Sequence, residues 1–423
     1  MPVSDLGIIE INEAPPPLDL TPQEIEALAA ELVQYHAEFA DLYYRVEQAH
    51  WGCKYLQGLL LPIERKSIEP LALALEGGNV QAMQQFIGQG QWQDEPLLHK
   101  HWQLVDDTLG EADGVCIVDG SDFPKQGEHS VGVARQWCGR LGKVDNCQAG
   151  VFTAYASRTG YTLLDRRLYL PEEWFDAAHR QRWCKGGIPD ETPFQTKQAL
   201  ALEMLQALVT EGCLRFRWVT CDEAFGRDGA FLDGTAALGR WYVAEVPHDT
   251  QVWLTRPATA VPAWAGRGRR PHKARLVPGE SAPQRVDQLA AAVPPDAWQA
   301  FLSKEGSKGP LVAEFAFQRG VAVRAGLPGP DVWLIMLRGL GEESERKIYL
   351  SNAPAHTSVG ALVRVAGMRW PIETAFEESK GGLGLDHYEV RSWVGWHHHM
   401  TLCLLAHHFL VRARERLKKG RQR

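Results

Sequence analysis

The sequence contains eight cysteines and no CxxC pair. Cys53, Cys116, Cys138, Cys147, Cys184, Cys213, Cys221 and Cys403 are too scattered for a disulfide scaffold in a chain of 423 residues, and they lack zinc-finger spacing. The opening stretch MPVSDLGIIEINEAPPPLDL has no basic segment ahead of an apolar one, so a secretory leader is not expected. No run reaches the ~18 apolar residues a membrane span needs. Internal repeats and low-complexity tracts are missing as well. These absences point to a reduced, intracellular, cytoplasmic protein with no membrane partner.

Base is also scarce where acid is plentiful. Residues 1–50 hold ten acids and one base, Arg45, a local charge of −9. The whole chain carries −7, which leaves +2 for everything after residue 50. Taken whole, an acidic balance argues against nucleic-acid binding, because phosphate recognition wants a basic surface. Its distribution confines that argument to one segment. What is present is otherwise ordinary: 45% hydrophobic and 23% charged residues make a folded protein. At ~150 residues per domain the length suggests two or three domains.

Residues 1–110 are expected to form an all-α domain for DNA or partner binding. TPQEIEALAAELVQYHAEF has apolar residues at helical spacing and opens on Thr21-Pro22, an N-cap followed by a first-turn proline. Residues 111–248 read as β-β-β-α-β-α-β. GVCIVDGSDF is a β-branched run ending at Asp119, and Arg158-Thr159-Gly160 turns between two further strands. TPFQTKQALALEMLQALVTEG is a helix stopped by Gly212, and FRWVTCDEAFG is a strand running into Asp222. If the first and fourth of these strands are neighbours in a mixed sheet, Asp119 and Asp222 come within reach of one ion. Residues 249–357 read as a β-rich insertion. Residues 358–423 return to helix and end in a basic tail.

The sharpest local signal is RWPIETAFEESK at 369–380. On a helix opened by Pro371, Glu373, Glu377 and Lys380 share a face. In isolation such a face is usually a solvated one with Glu–Lys pairs. Asp119, Asp222 and Glu373 together have a sharper use. Three carboxylates match a hard cation such as Mg²⁺, and two such ions about 4 Å apart serve phosphodiester chemistry. Each Asp alone could equally be a turn residue or a helix N-cap. Glu377 competes with Glu373.

The stretches VDGSDFPKQGEHSVGVARQWCGRLGKVDNCQAGV, VTCDEAFG and RWPIETAFEESKGGLGLDHYEVRSW, with LLLPIERKSIEPLALAL upstream, resemble the DDE transposases of bacterial insertion sequences. More narrowly they resemble the DDE superfamily endonuclease branch with a YREK-like signature. Arg369, Glu373 and Lys380 match that signature's spacing, which also fixes Glu373 over Glu377. The signature tyrosine falls on Ala366, a departure. The resemblance implies an α/β, RNase H-like mixed-sheet catalytic core, interrupted by the β-rich insertion. It implies metal-dependent DNA cleavage and strand transfer at terminal inverted repeats, with Asp119, Asp222 and Glu373 holding two Mg²⁺ ions (Mn²⁺ substituting). A hairpin intermediate in cut-and-paste transposition follows from the same likeness. So does a homodimer on double-stranded DNA, at the nucleoid when active.

By the resemblance Arg369 and Lys380 contact phosphates near the cut, and Trp370 holds a flipped base by stacking, worth about 1–3 kcal/mol. A core-packed Trp370 is the alternative. Two basic stretches are the expected phosphate tracks: Arg267, Arg269, Arg270, Lys273 and Arg275 without an acid, and the tail with Arg412, Arg414, Arg416, Lys418, Lys419, Arg421 and Arg423 against Glu415. Lys125, His129 and Arg135 read first as a solvated hairpin, with an approach to DNA as the alternative. His397, His398, His399, His407 and His408 lack metal-site spacing and are read as phosphate contacts or a partly exposed helix face. A non-catalytic DNA-binding descendant is the rival function. A two-carboxylate glycosidase is a third, but it leaves the Arg369/Glu373/Lys380 spacing unexplained.

Overall fold

The computed structural model describes residues 21–264, 266–267, 269–306, 309–339 and 346–421. Residues 1–20, with four of the ten acids of the N-terminal stretch, and the tail's Arg423 lie outside the described residues. Helices come first: α1 (Pro22–Ala37), α2 (Val46–Leu60), α3 (Ile68–Ala74), α4 (Val80–Gly88) and α5 (Glu95–Leu109). Thr21 closes a capping box at the start of α1, accepting from the Glu24 amide while the Glu24 carboxylate accepts from Thr21 N. Strands β1 (Val115–Pro124), β2 (Ala134–Cys138), β3 (Lys143–Ala156) and β4 (Tyr161–Tyr169) follow. Next are α6 (Arg180–Gly186) and α7 (Lys197–Glu211). Gly212 ends α7 at φ +63°, a left-handed backbone that favours glycine.

The chain continues through β5 (Trp218–Cys221), α8 (Glu223–Gly226), α9 (Gly229–Ala237), β6 (Trp241–Glu245) and β7 (Gln251–Trp253). Short strands β8 (Thr259–Ala260), β9 (Arg275–Leu276) and β10 (Gln284–Arg285) lead to α10 (Val286–Ala291). Long strands β11 (Gln299–Gly306), β12 (Gly309–Arg324), β13 (Leu327–Gly339) and β14 (Arg346–Ser351) precede α11 (Val359–Gly367), α12 (Trp370–Leu383) and α13 (Trp393–Arg421). The architecture is mixed α/β. No described helix is long and apolar enough to cross a membrane, and none of the eight cysteines is disulfide-bonded.

The chain divides into two compact units, with breaks between Arg217 and Trp218 and between Arg369 and Trp370. In the unit Trp218–Arg369, β5 and β6 run parallel, and β14, β13, β12, β7 and β10 extend the sheet antiparallel beyond β6. Strand β11 adds to β12. β8 and β9 form a separate two-stranded ribbon. Helices α8 and α9 pack on β6, and α11 on β5 and β6.

In the other unit β3 is the central strand. It pairs antiparallel with β1 along one edge and with β2 and then β4 along the other. Helix α13 crosses β4 and is itself surrounded by α1, α2, α4, α5 and α12. That enclosure explains why α13 is apolar all round where it crosses: Leu402, Cys403, Leu404, Leu405 and Ala406 are fully buried. Each such leucine contributes roughly 1.5–3 kcal/mol of burial.

One charged group is enclosed with them. Arg166 on β4 is buried; it donates to Thr401 Oγ1 at 2.8 Å and pairs with Asp94 and with Asp165, itself fully buried. Removing Arg166 takes the guanidinium from Asp94 and leaves the buried Asp165 to Arg167 alone, at 2.7 Å. Arg166→Ala is therefore expected to cost about 3–5 kcal/mol, read as a lower urea midpoint at unchanged m-value. A loss below about 1 kcal/mol, the scale of a surface pair, would show that the cluster carries no such weight.

Candidate active site

β1 is buried from Val115 to Val118, and Asp119 is the first residue at which it becomes partly exposed. Asp119 faces Phe152 across the β1–β3 ladder, and its Oδ1 accepts from the Gly120 amide at 2.7 Å. An apolar run followed by a partly exposed carboxylate keeps the acid wet on a rigid strand, as a reacting group requires.

Asp222 follows β5, all four residues of which are buried. It caps α8, accepting from the Phe225 amide at 3.3 Å. The cap and the catalytic reading thus coexist in one side chain. Burial pushes the Asp222 carboxyl above the usual aspartate range, opposed by the Phe225 amide and then by the Arg369 guanidinium. Arg369 belongs to the same unit, and its Nε lies 3.5 Å from Glu245 Oε2 at the end of β6. Lys347 approaches the same oxygen at 3.7 Å. Glu245 went unremarked in the sequence although YVAEVP, a strand ending in an acid, repeats the pattern of Asp119.

Glu373 lies in the first turn of α12, where Pro371 is tolerated for want of an intrahelical acceptor. The helix packs on β1, β3 and β4 of its own unit. Glu373 is half-buried and Glu377 is exposed. Trp370 is half-buried at the helix start. Lys380 Nζ lies 5.6 Å from the ring centres of Phe123 and Phe376, and burial lowers its pKa. Asp119, Glu373, Trp370 and Lys380 thus fall in one unit, and Asp222 and Arg369 in the other.

Among the described residues, no three His, Cys, Asp or Glu side chains are gathered so as to hold a metal ion. In donor chemistry Asp119, Asp222 and Glu373 do suit one: all are carboxylates, and oxygen donors match hard divalent cations.

The histidines of α13 are a correction. His397, His398, His399, His407 and His408 are buried, not a phosphate surface. His399 Nδ1 accepts from Tyr55 Oη at 2.9 Å while its Nε2–H donates to Leu385 O at 3.3 Å. His408 is held the same way between Tyr35 Oη and Thr108. Such partners fit neutral rings. Burial lowers His399 to about 4 and His408 well below the histidine range.

The basic stretches differ from each other. In the tail, Arg414 reaches Glu378 at 3.3 Å, Lys418 reaches Glu415 at 2.9 Å, and Arg416 pairs with Glu31. Arg412 lies 5.9 Å from the Tyr35 ring centre. Lys419 is exposed. Glu378 also takes His407 at 3.1 Å and Tyr161 at 3.2 Å. Residues Arg267, Arg269, Arg270 and Lys273, on the connection between β8 and β9, and Arg275, which opens β9, are by contrast all exposed. The Arg270 guanidinium sits 5.8 Å from the ring centre of Trp264, itself exposed. Lys125 is no free hairpin cation: its Nζ stands 3.5 Å over the Tyr388 ring and donates to Tyr388 O, and burial lowers it to about 8.

Residues 38–310 match the family described as DDE superfamily endonuclease. That stretch includes Asp119 and Asp222 and stops before Glu373. Over 178 residues the chain is 28% identical to a protein of Microchaete diplosiphon named as a probable transposase for insertion sequence element IS701. This likeness covers 42% of the chain and 43% of that relative's own length. With about two thirds of its residues inside the family match, the chain belongs to the DDE superfamily endonucleases.

Proposed function

We propose that the protein is an insertion-sequence transposase with an RNase H-like core that cuts DNA at terminal inverted repeats and joins the freed ends to a target. The family match across both Asp119 and Asp222 is the observation that carries this reading. Asp119, Asp222 and Glu373 are the catalytic carboxylates. They would hold two Mg²⁺ ions, or Mn²⁺, which when bound neutralise phosphate oxygens and acidify a water. Arg369 and Lys380 neutralise phosphates beside the cut, Arg369 being suited to bidentate contact. Trp370 stacks on an unpaired base, in keeping with a hairpin route for cut-and-paste transposition. Two ends cut in concert suit a homodimer on DNA.

Residues 1–110 are the proposed DNA- or partner-binding domain, 111–248 and 358–423 the two parts of the core, and 249–357 the β-rich insertion. The exposed loop with Arg267, Arg269, Arg270 and Lys273 is the principal phosphate track. Arg412, Arg414, Lys418 and Lys419 are a second one, where DNA must displace Glu378 from Arg414 and Glu415 from Lys418.

The test is incubation of the full chain with linear duplex carrying the element's ends and Mg²⁺. Nicks at the element termini are expected. Specific end binding without any nick would favour the non-catalytic descendant instead. Replacing Arg267, Arg269, Arg270 and Lys273 together by Ala should weaken binding equally for all sequences and reduce the salt slope by about 3–4, at ~0.9 per lost phosphate contact. An unchanged slope removes the loop from the DNA surface.

A further inference from the structure

A concave site on the unit that carries Asp119 and Glu373 has no role in anything described so far. It is a cavity of about 720 Å³ where four separate pieces of chain converge, one of them the end of α4 at Gly88, Gln89 and Gln91. His129 comes from the connection after β1, Arg182 and Lys185 from α6, and Arg391 from the approach to α13. No carboxylate of the described residues lines it. Arg182 has an acid within reach, Glu128 at 2.8 Å, and that pair is open to solvent, where ion pairs are weak. Lys185, His129 and Arg391 are exposed.

The backbone around it is built closely. Val131 N donates to Arg391 O at 3.0 Å, which ties the β1 connection to the α13 approach. A side chain at Gly186 would place its Cβ 2.4 Å from Val131 Cγ2, so only glycine lets α6 come so near. Ser392 caps α13, accepting from Gly395 N at 3.0 Å and donating to the Gly88 carbonyl at 3.1 Å. The first turn of a 29-residue helix therefore meets the cavity at Val394, and its dipole adds positive potential there. The carbonyl end of α6 is met by the amides of Gly187 and Ile188. Cationic side chains on two segments, His129 on a third, a helix N-terminus and the lack of a lining carboxylate among the described residues all select a polyanion.

We propose that this cavity binds the phosphodiester backbone of duplex DNA, as a sequence-independent anchor separate from the exposed loop at 267–273. The proposal rests on the transposase reading. It names backbone phosphate in preference to a free anion because the four side chains ring an open concavity of about 720 Å³, wide for a lone phosphate.

The experiment compares full-length wild type, the double variant Arg182→Ala/Lys185→Ala and the charge-keeping variant Arg182→Lys/Lys185→Arg. The probes are a 30-bp duplex of arbitrary sequence over a range of NaCl, and inorganic tripolyphosphate alone. The Ala variant is expected to bind duplex about tenfold more weakly, with a salt slope lower by about 2, while the charge-keeping variant binds like wild type. Equal affinity and slope for wild type and the Ala variant overturn the anchor and leave the transposase reading intact. Loss of tripolyphosphate binding with duplex affinity unchanged overturns it in favour of a small-anion site. A wild type that binds no duplex at all overturns both readings. If the charge-keeping variant is as weak as the Ala variant, the loss is not one of charge and the proposal also fails.

Discussion

Asp119→Asn, Asp222→Asn and Glu373→Gln are each expected to lower strand cleavage by at least about 1,000-fold, about 4 kcal/mol of transition-state stabilisation. DNA affinity should stay within about threefold. The amides keep the shape of the side chains and remove the negative charge that a hard cation or an attacking water requires. Asn is the informative choice at Asp222. Its carboxyl also caps α8, and Asn caps as well as Asp, so folding is spared where Asp222→Ala would add a cap loss of about 1 kcal/mol. At Asp119 the bond accepted from the Gly120 amide is local and can be kept by the amide oxygen of Asn. Chelation by EDTA should abolish the wild-type reaction, with recovery on adding Mg²⁺ or Mn²⁺.

The control in the same helix is Glu377→Gln. Glu377 is exposed and Glu373 half-buried, so the control should cleave normally. Were Glu377→Gln inactive and Glu373→Gln active, the third carboxylate would be Glu377, and the Arg369–Glu373–Lys380 spacing would have misled. Full activity in all three amide variants would remove the acids from the chemistry while leaving cleavage itself unexplained.

What could be read from the sequence was what local chemistry decides. Thr21 as the cap of α1 and Gly212 as the stop of α7 each act over a few residues, and each has the expected structure, whereas the strand expected to end at Asp119 runs on to Pro124 because its pairing with β3 continues. β2 escaped notice because ARQWC is short and buries only its two ends. The histidines of α13 were misjudged for a different reason. A run of HHH on a long helix with a basic tail reads as amphipathic and wet. Its burial is imposed by partners far away in sequence: Tyr55 is 344 residues from His399, and Ile87 is 311 from His398. The acids that engage the tail, Glu31 and Glu378, are equally invisible to a count of like charges. Long-range enclosure, not local propensity, decides such residues.

Those same histidines make the unit built around α13 acid-labile. His36, His101, His398 and His399 are each lowered by burial to about 4, and His397 and His408 lie well below the ordinary value. In an unfolded chain each would titrate near 6.5. Between about pH 6.5 and 4 the unfolded chain therefore binds more protons than the folded one. The stability these neutral rings contribute is complete above about pH 6.5 and is lost as pH falls through about 4. His398 is the least committed of them, since its ring lies between the carbonyl oxygens of Ile87 and Trp92, both of which reward a proton. His399 is the most committed: protonating Nδ1 forces Tyr55 Oη to turn away. From pH 6.5 to 5, where carboxylates titrate little, urea-derived stability should fall by at least about 4 kcal/mol per pH unit, the uptake of three or more protons at 1.36 kcal/mol each. That is comparable with the ~5–15 kcal/mol stability of a whole domain, so cooperative unfolding is expected before pH 4.5. His399→Gln, which keeps a neutral polar group on α13, should remove about one proton from the slope. A slope of less than one proton in wild type would mean that the rings are charged in the fold, and that the hydroxyl and carbonyl partners do not hold them neutral.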